Sequence, residues 1–256
     1  MSIRLLLVFA SCMLPVSAAL AQDVAQETDT MIRPFEISVP QADIDDLKQR
    51  LLNARLPDQI PDTGWDYGTD TAYLRTLVAY WQNEFDWREQ ERALNAFDQF
   101  VTEIDGIDIH FIHQRSVHRD ATPLLVTHGW PGSIVEFRKI IDPLTNPEKY
   151  GGTAADAFHV IAPSLPGFGF SGKPQERGYN PERMAMTLAS LMQRLGYEHY
   201  GLQGGDWGAI INRHLANLYP DRFIGLHSNF VLASPPQDQA LRDSVPADEM
   251  ARREER

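Results

Sequence analysis

Apolar positions recur along the chain with two rhythms, and the change falls near residue 100. Before it, Ile44, Leu47 and Leu51 stand at i, i+3 and i+7, and Leu74, Leu77, Val78 and Trp81 at i, i+3, i+4 and i+7, which predicts two amphipathic helices. Phe35–Val39 alternates like a short strand and stops at Pro40, and a turn-rich stretch from Leu56 to Gly68 joins the helices. Trp81 and Trp87 in this block are expected to pack rather than to meet a ligand. After residue 100, Phe100–Ile104 and Ile107–Ile112 predict strands joined at Asp105-Gly106, a hairpin signal. Leu124–Val126, Phe158–Ala162, Tyr200–Gln203 and Phe223–Val231 predict four more strands. Between them Met184, Leu188, Leu191, Met192 and Leu195 mark a helix bounded by Asn180 as N-cap, Pro181 in the first turn and Gly196 at the end. Gly208–Tyr219 predicts another, stopped by Pro220. Short apolar runs alternating with helices imply an α/β fold, a mostly parallel sheet with helices on both faces, preceded by a helical segment. Ligands on such sheets bind at the carboxyl ends of the strands.

The 256 residues, 43% hydrophobic and 23% charged, are ordinary globular composition apart from the beginning. Arg4, the apolar stretch from Leu5 and an A-x-A site at Ala19-Leu20-Ala21 predict a signal peptide over 1–21, cut before Gln22, and a secreted or periplasmic protein. Ser2, Ser11, Pro15 and Ser17 interrupt that stretch, which argues against a stable membrane span. The sole cysteine, Cys12, lies inside it, so the mature chain is expected to have no disulfide. The expected organisation is a linker over 22–31, an N-terminal segment over 32–100, a core over 101–233 and the start of a further region over 234–256. A net charge of −12 argues against nucleic acid or an anionic membrane as partner.

Two motifs carry chemistry. Gln203-Gly204-Gly205-Asp206-Trp207-Gly208 runs strand, Gly-x-Asp-x-Gly, helix, the layout of a nucleophile elbow, in which Gly204 and Gly208 leave room for a sharp turn. A carboxylate at such a turn can attack carbon and form an ester. An Asp there suits the alkyl carbons of epoxides or alkyl halides. Taken alone, Asp206 would more readily be a helix N-cap. The second motif shifts that balance: His128-Gly129-Trp130-Pro131-Gly132-Ser133 follows the Leu124–Val126 strand. In an α/β-hydrolase layout that loop and the residue after the nucleophile each give one backbone N–H to an oxyanion hole, here Trp130 and Trp207. His128 is expected to brace the loop rather than to act as a base. No metal-ligand cluster or phosphate-cradling loop is apparent, and the chemistry calls for no cofactor.

HGWPGS, SLPGFGFSG at Ser164–Gly172 and QGGDWG together resemble the microsomal-type epoxide hydrolases. RPFEISVP and LKQRLLNARLPD resemble the N-terminal segment that accompanies that family's catalytic domain, and the resemblance covers about residues 32–235. It implies Asp206 as nucleophile, Trp130 and Trp207 as oxyanion donors, a cis-proline at Pro131, and a small apolar epoxide and water as substrates, the product being a diol. In that family a cap with two tyrosines, an acid and a water-activating histidine follow, whereas this sequence ends at Arg256. The expectation is therefore a truncated chain without its base and acid. His214 and His227, on a helix and within a strand, are poorly placed as bases, and Asn229 stands where some relatives carry an acid. The alternatives are a haloalkane dehalogenase-like hydrolase and a non-catalytic, decayed or binding homologue. Export is checked by mass spectrometry of the periplasmic or culture fraction. A chain beginning at Gln22 is expected, and a cytoplasmic chain retaining Met1 would refute the signal.

Overall fold

The computed structural model describes residues 31–231, 238–244 and 246. The signal peptide expected over 1–21, the linker except Met31, and most of 234–256 lie outside these residues. Seven strands, β1 (Arg33–Pro34), β2 (Gln99–Ile104), β3 (Ile107–Gln114), β4 (Thr122–Thr127), β5 (Phe158–Pro163), β6 (Tyr200–Gly204) and β7 (Phe223–Ser228), form one sheet in the order β1-β2-β3-β5-β4-β6-β7. The strands β5, β4, β6 and β7 pair in parallel, while β1, β2 and β3 extend the sheet by antiparallel pairing. The chain leaves β4 for β5 on one side, then crosses to β6 on the other. The loops after β4 and β6 thus emerge side by side at the reversal of strand order, where α/β sheets bind ligands.

Alternation along the strands divides the core between two faces. Ile109, Phe111, Leu125, Ile161 and Leu202 face one way, against Leu188, Leu191 and Met192 of α5 (Pro181–Arg194) and Ile211 and Leu215 of α6 (Asp206–Leu218). Ile112, Val126, Val160 and Ala162 face the other way, against Ile134, Phe137 and Ile141, the last opening α4 (Ile141–Thr145). The β2–β3 hairpin turns at Asp105 and Gly106, both at positive φ (53° and 74°), the twist two-residue hairpins require. The Asn180 side chain accepts from Arg183 N–H at the start of α5, and Gly196 follows its end at φ 80°.

The N-terminal block departs from expectation in three ways. Its helices are α1 (Gln41–Leu52), α2 (Thr71–Asn83) and α3 (Trp87–Leu94), the last having no apolar stripe long enough to show in the sequence. Asp86 caps it by accepting from Glu89 N–H. Trp81, expected to pack, is 43% exposed, and no residue of Thr71–Asn83 is buried. Finally, the alternating run Phe35–Val39 is not a strand. Only Phe35 N–H meets backbone, at Gln99 O (2.9 Å). Ile37 bonds through its N–H (2.9 Å) and C=O (2.8 Å) to the Asn95 carboxamide, and Val39 N–H donates to Glu91 Oε1 (2.7 Å). Side chains of and just after the third helix thus take the place of a partner strand. At the other end, β7 stops at Ser228 rather than running to Val231.

Buried histidines hold much of the polar interior. Desolvation lowers the pKa of His110 and of His113 to about 4, with the Arg115 charge as a second cause for His113, and lowers that of His128. Unfolding restores an ordinary value near 6.5, so the unfolded chain binds these protons first as pH falls. The stability that His110 and His113 permit is complete above pH 6.5 and is lost progressively between there and about pH 4. The expected loss approaches ~1.4 kcal/mol per pH unit for each histidine. Urea melts at pH 7.5 and pH 5 measure it. Equal midpoints at the two values would show that these rings titrate normally.

Candidate active site

The turn from β6 into α6 is tight because three backbones meet there. A Cβ on Gly208 would collide with the backbone carbonyl oxygen of Thr127 at the end of β4. A Cβ on Gly204 would lie 2.8 Å from the carbonyl carbon of Gly208 and 2.7 Å from Asn212 Nδ2. Glycine at both positions lets the helix seat directly on the strand ends. Asp206 takes the strain of the turn at φ +50°, a conformation uncommon for a side-chain-bearing residue. The same pairing of positive φ with a chemically equipped side chain is found at strained functional turns.

Asp206 is not the helix cap. That position belongs to Gly205, which offers no side-chain bond, and Asp206 is the first residue of α6. Its Oδ1 instead accepts the N–H of Trp130 across the gap between the two loops, at 2.7 Å. The N–H of Trp130, then that of Trp207, hold its pKa below the usual carboxylate value against a smaller opposing desolvation. Asp206, Trp130 and Trp207 thus converge as the sequence suggested, and the Trp130–Pro131 peptide is cis. Gly129 makes this possible, since a Cβ there would lie 2.6 Å from both Cβ and Oδ1 of Asp206. Gly132 faces Glu136, whose carboxylate accepts Ser133 N–H (3.1 Å) and closes a capping box over the loop's exit.

His128 is buried, with both ring nitrogens committed. Leu165 N–H donates to Nε2 (3.0 Å), so the proton sits on Nδ1 and is given to Gly129 O (2.9 Å). The ring braces the loop and has no lone pair free for a substrate proton. His214 lies within α6 and His227 within β7, opposite Gln203.

Two cavities flank the convergence. One, of about 240 Å³, is apolar and lies between Trp130, Trp207 and Ile211, the loop residues Leu165 and Phe168, and Tyr179 and Met184 near the start of α5. The other, of about 430 Å³, is polar and is lined by Asp206, Gln203, Asn229 and Glu136. The Asn229 carboxamide packs on the Cα of Gly205. Sequence periodicity assigned Met184 to a core stripe and passed over Tyr179. It also missed Asn212, buried under the elbow, whose Oδ1 accepts from Thr127 Oγ1 (3.0 Å). A lone polar position on an otherwise apolar helix face was the only signal available. Among the described residues no group of acidic, histidine or cysteine side chains is arranged to hold a metal ion.

Comparison with known proteins places this geometry among relatives. A family model described as "Epoxide hydrolase N terminus" matches residues 32–137, and one described as "alpha/beta hydrolase fold" matches 122–246. A pig protein named epoxide hydrolase 1 is 43% identical over 81% of this chain and 47% of its own length. A Stigmatella aurantiaca protein, named as a candidate epoxide hydrolase, is 52% identical over 80% of this chain and 46% of its own. The solved structure of Aspergillus niger epoxide hydrolase superposes with TM-score 0.73 at 34% identity, over 88% of this chain and 59% of that one. The chain spans about half the length of the curated relatives it matches.

Two substitutions separate backbone from side-chain crowding at the elbow. Gly208→Ala drives a Cβ into the Thr127 carbonyl and is expected to cost 3 kcal/mol or more, by the ~1–3 kcal/mol usual for overpacking and the rigidity of backbone. The nearest atoms to a Cβ in Gly205→Ala are those of the Asn229 carboxamide, so it is expected to cost about 1 kcal/mol and to be relieved by Asn229→Ala. Denaturant melts of the three variants test the order. A Gly208→Ala protein as stable as the parent would contradict the packing described.

Proposed function

Since the chain belongs to the epoxide hydrolase family on an α/β-hydrolase fold, we propose that Asp206 is the nucleophile that opens an epoxide. What carries this reading is a strained carboxylate held between the N–H of Trp130 across the gap and the N–H of Trp207 beside it. Oδ1, held there, becomes the carbonyl oxygen of the ester, and Oδ2 attacks. The Oδ2–carbon bond forms as the epoxide carbon–oxygen bond breaks, and the leaving alkoxide takes a proton from an acid or from solvent. Water then adds to the ester carbonyl carbon, the charge on Oδ1 being met by Trp130 and Trp207 N–H, and the diol leaves as the carboxylate re-forms. Each such donor is typically worth about 3 kcal/mol of barrier. The apolar cavity suits the hydrocarbon arm of a small epoxide.

The two halves of this reaction make different demands. Attack needs a positioned carboxylate and gains about 10²–10⁴-fold from a general acid. Ester hydrolysis needs a base, and His128 is not available for that role because its lone pair is occupied by Leu165 N–H. With His128 committed to Leu165, accumulation of the ester is the expected behaviour. Incubation with a styrene-type epoxide should add one adduct per chain, located on Asp206 by peptide mapping and absent from Asp206→Asn. Labelling that persists in that variant would remove Asp206 from the role, and sustained diol release would reveal a base within this chain.

A further inference from the structure

The serines of the motif Ser164–Gly172 and the buried His110 have no part in the chemistry above, yet they are joined to each other and, through Leu165, to the oxyanion loop. The 164–172 loop is closed on itself by Gly167 N–H to Gly172 O (2.8 Å) and by Ser171 Oγ to Ser164 O (2.7 Å). It is pinned to β3 chiefly at His110, with one further bond from Gly172 N–H to Asp108 O (2.7 Å). His110 N–H donates to Ser171 Oγ (2.9 Å), His110 O accepts from Ser164 N–H (2.9 Å), and the ring Nδ1 lies 3.0 Å from Ser164 Oγ. Gly169, at φ 51°, leaves the space Ser164 occupies, since a Cβ there would fall 2.7 Å from its hydroxyl.

Proton accounting fixes the direction of these bonds. The Gln99 amide nitrogen donates to Leu94 O (3.0 Å) and Asn95 Oδ1 (3.1 Å), so Gln99 Oε1 must accept, and His110 Nε2 donates to it at 3.0 Å. Nδ1 is then the acceptor for the Ser164 hydroxyl. The next residue, Leu165, gives its N–H to His128 Nε2, and His128 gives its own proton to Gly129 O, the carbonyl of the same peptide that carries Trp130 N–H. Two neutral imidazoles thus hold consecutive residues of one loop, His110 at Ser164 and His128 at Leu165. The held loop also supplies Leu165 and Phe168 to the apolar cavity. The rings of Phe35 and Phe170 pack on His110 at 4.7 and 5.3 Å and shield these bonds from water.

We infer that His110 is a positioning residue for the reaction at Asp206: it sets the 164–172 loop where Leu165 can fix His128, and through His128 the peptide that aims Trp130 N–H. The inference rests on the proposed role of Asp206, and its test separates the two. His110→Leu keeps the volume and removes the ring bonds. Small displacements of positioning groups cost up to about 10²-fold in rate, so the limiting rate of Asp206 labelling by styrene oxide is expected to fall about 10- to 100-fold below the variant's melting range. His110→Gln, which retains a donor and an acceptor, should recover much of it. Because both histidines act through one loop, His110→Leu combined with His128→Gln should be at most about twofold slower than the slower single variant, where independent effects would multiply.

Amide hydrogen exchange gives a second readout that needs no chemistry. In His110→Leu the Leu165 and Trp130 amides should exchange more than about tenfold faster, while Tyr219 N–H, bonded to Leu215 O in α6, should not. If His110→Leu fails to fold, Ser164→Ala removes the ring contact at Nδ1 with the histidine in place, and Ser171→Ala, which of the histidine's contacts removes only the backbone bond from His110 N–H, is its control. Parental exchange at Leu165 and Trp130, or multiplicative rate losses in the double variant, would overturn the inference. If the parent protein is not labelled at Asp206, the nucleophile assignment fails and the exchange data alone decide the role of His110.

Discussion

The site depends on how closely the first turn of α6 can approach the ends of β4 and β6. Gly208 lies against the Thr127 carbonyl and Gly204 against the backbone of Gly208, so the helix starts nearer the sheet than side chains would permit. That proximity forces the chain through a left-handed residue, and the residue there is Asp206. Strain of this kind costs on the order of 1–3 kcal/mol and persists only where its surroundings over-determine it. The Trp130 N–H, the Thr127–Asn212 bond and the seating of α6 on the strand ends supply that determination. A carboxylate in a relaxed cap would have satisfied its own helix. Here it is presented to the space between two loops.

The same economy governs the polar interior. A buried imidazole that stays neutral has one donor and one acceptor at a fixed angle, so it can join two segments that share no ladder. His128 does this between the β4 loop and Leu165, and His110 does it between Gln99 and Ser164. The arrangement requires the rings to remain uncharged, and burial among Phe35, Phe168 and Phe170 ensures it. Groups that are acid–base catalysts in other settings act here as hydrogen-bonded fasteners, which is why their lowered pKa values are not by themselves a sign of catalysis.

The sheet strands after residue 100 and the convergence of Asp206 with Trp130 were legible because each depends on local signals. Short apolar runs, the Asp105-Gly106 turn, the Asn180-Pro181 start and the glycines of the elbow all act within a few residues of themselves. What stayed hidden is what tertiary contact decides. The Phe35–Val39 run has the alternation of a strand, but its partners are the side chains of Asn95 and Glu91, and no periodicity reports a side chain standing in for a strand. Trp87–Leu94 is short, polar and cap-driven, and its identity rests on Asp86 and on what it holds. Asn212 and Tyr179 matter through neighbours many residues away. Tyr179 is a wall of the apolar cavity whose hydroxyl lies 2.5 Å from Thr187 Oγ1, a pairing that sequence spacing alone does not distinguish from ordinary core packing.

The side-chain pairing of residues 35–39 bears on how this chain can be recombined with its relatives. A strand added to a sheet exchanges backbone bonds, so a foreign strand of similar shape will serve in its place. Residues 37 and 39 are instead read by one carboxamide and one carboxylate, Asn95 and Glu91, more than fifty positions later. A crossover anywhere between about 40 and 90 would part a lock from its key, even though both parental segments carry the same elements. Chimeras of this fold therefore inherit the N-terminal block as a unit through Gln99, where the carboxamide of β2 passes the connection on to His110.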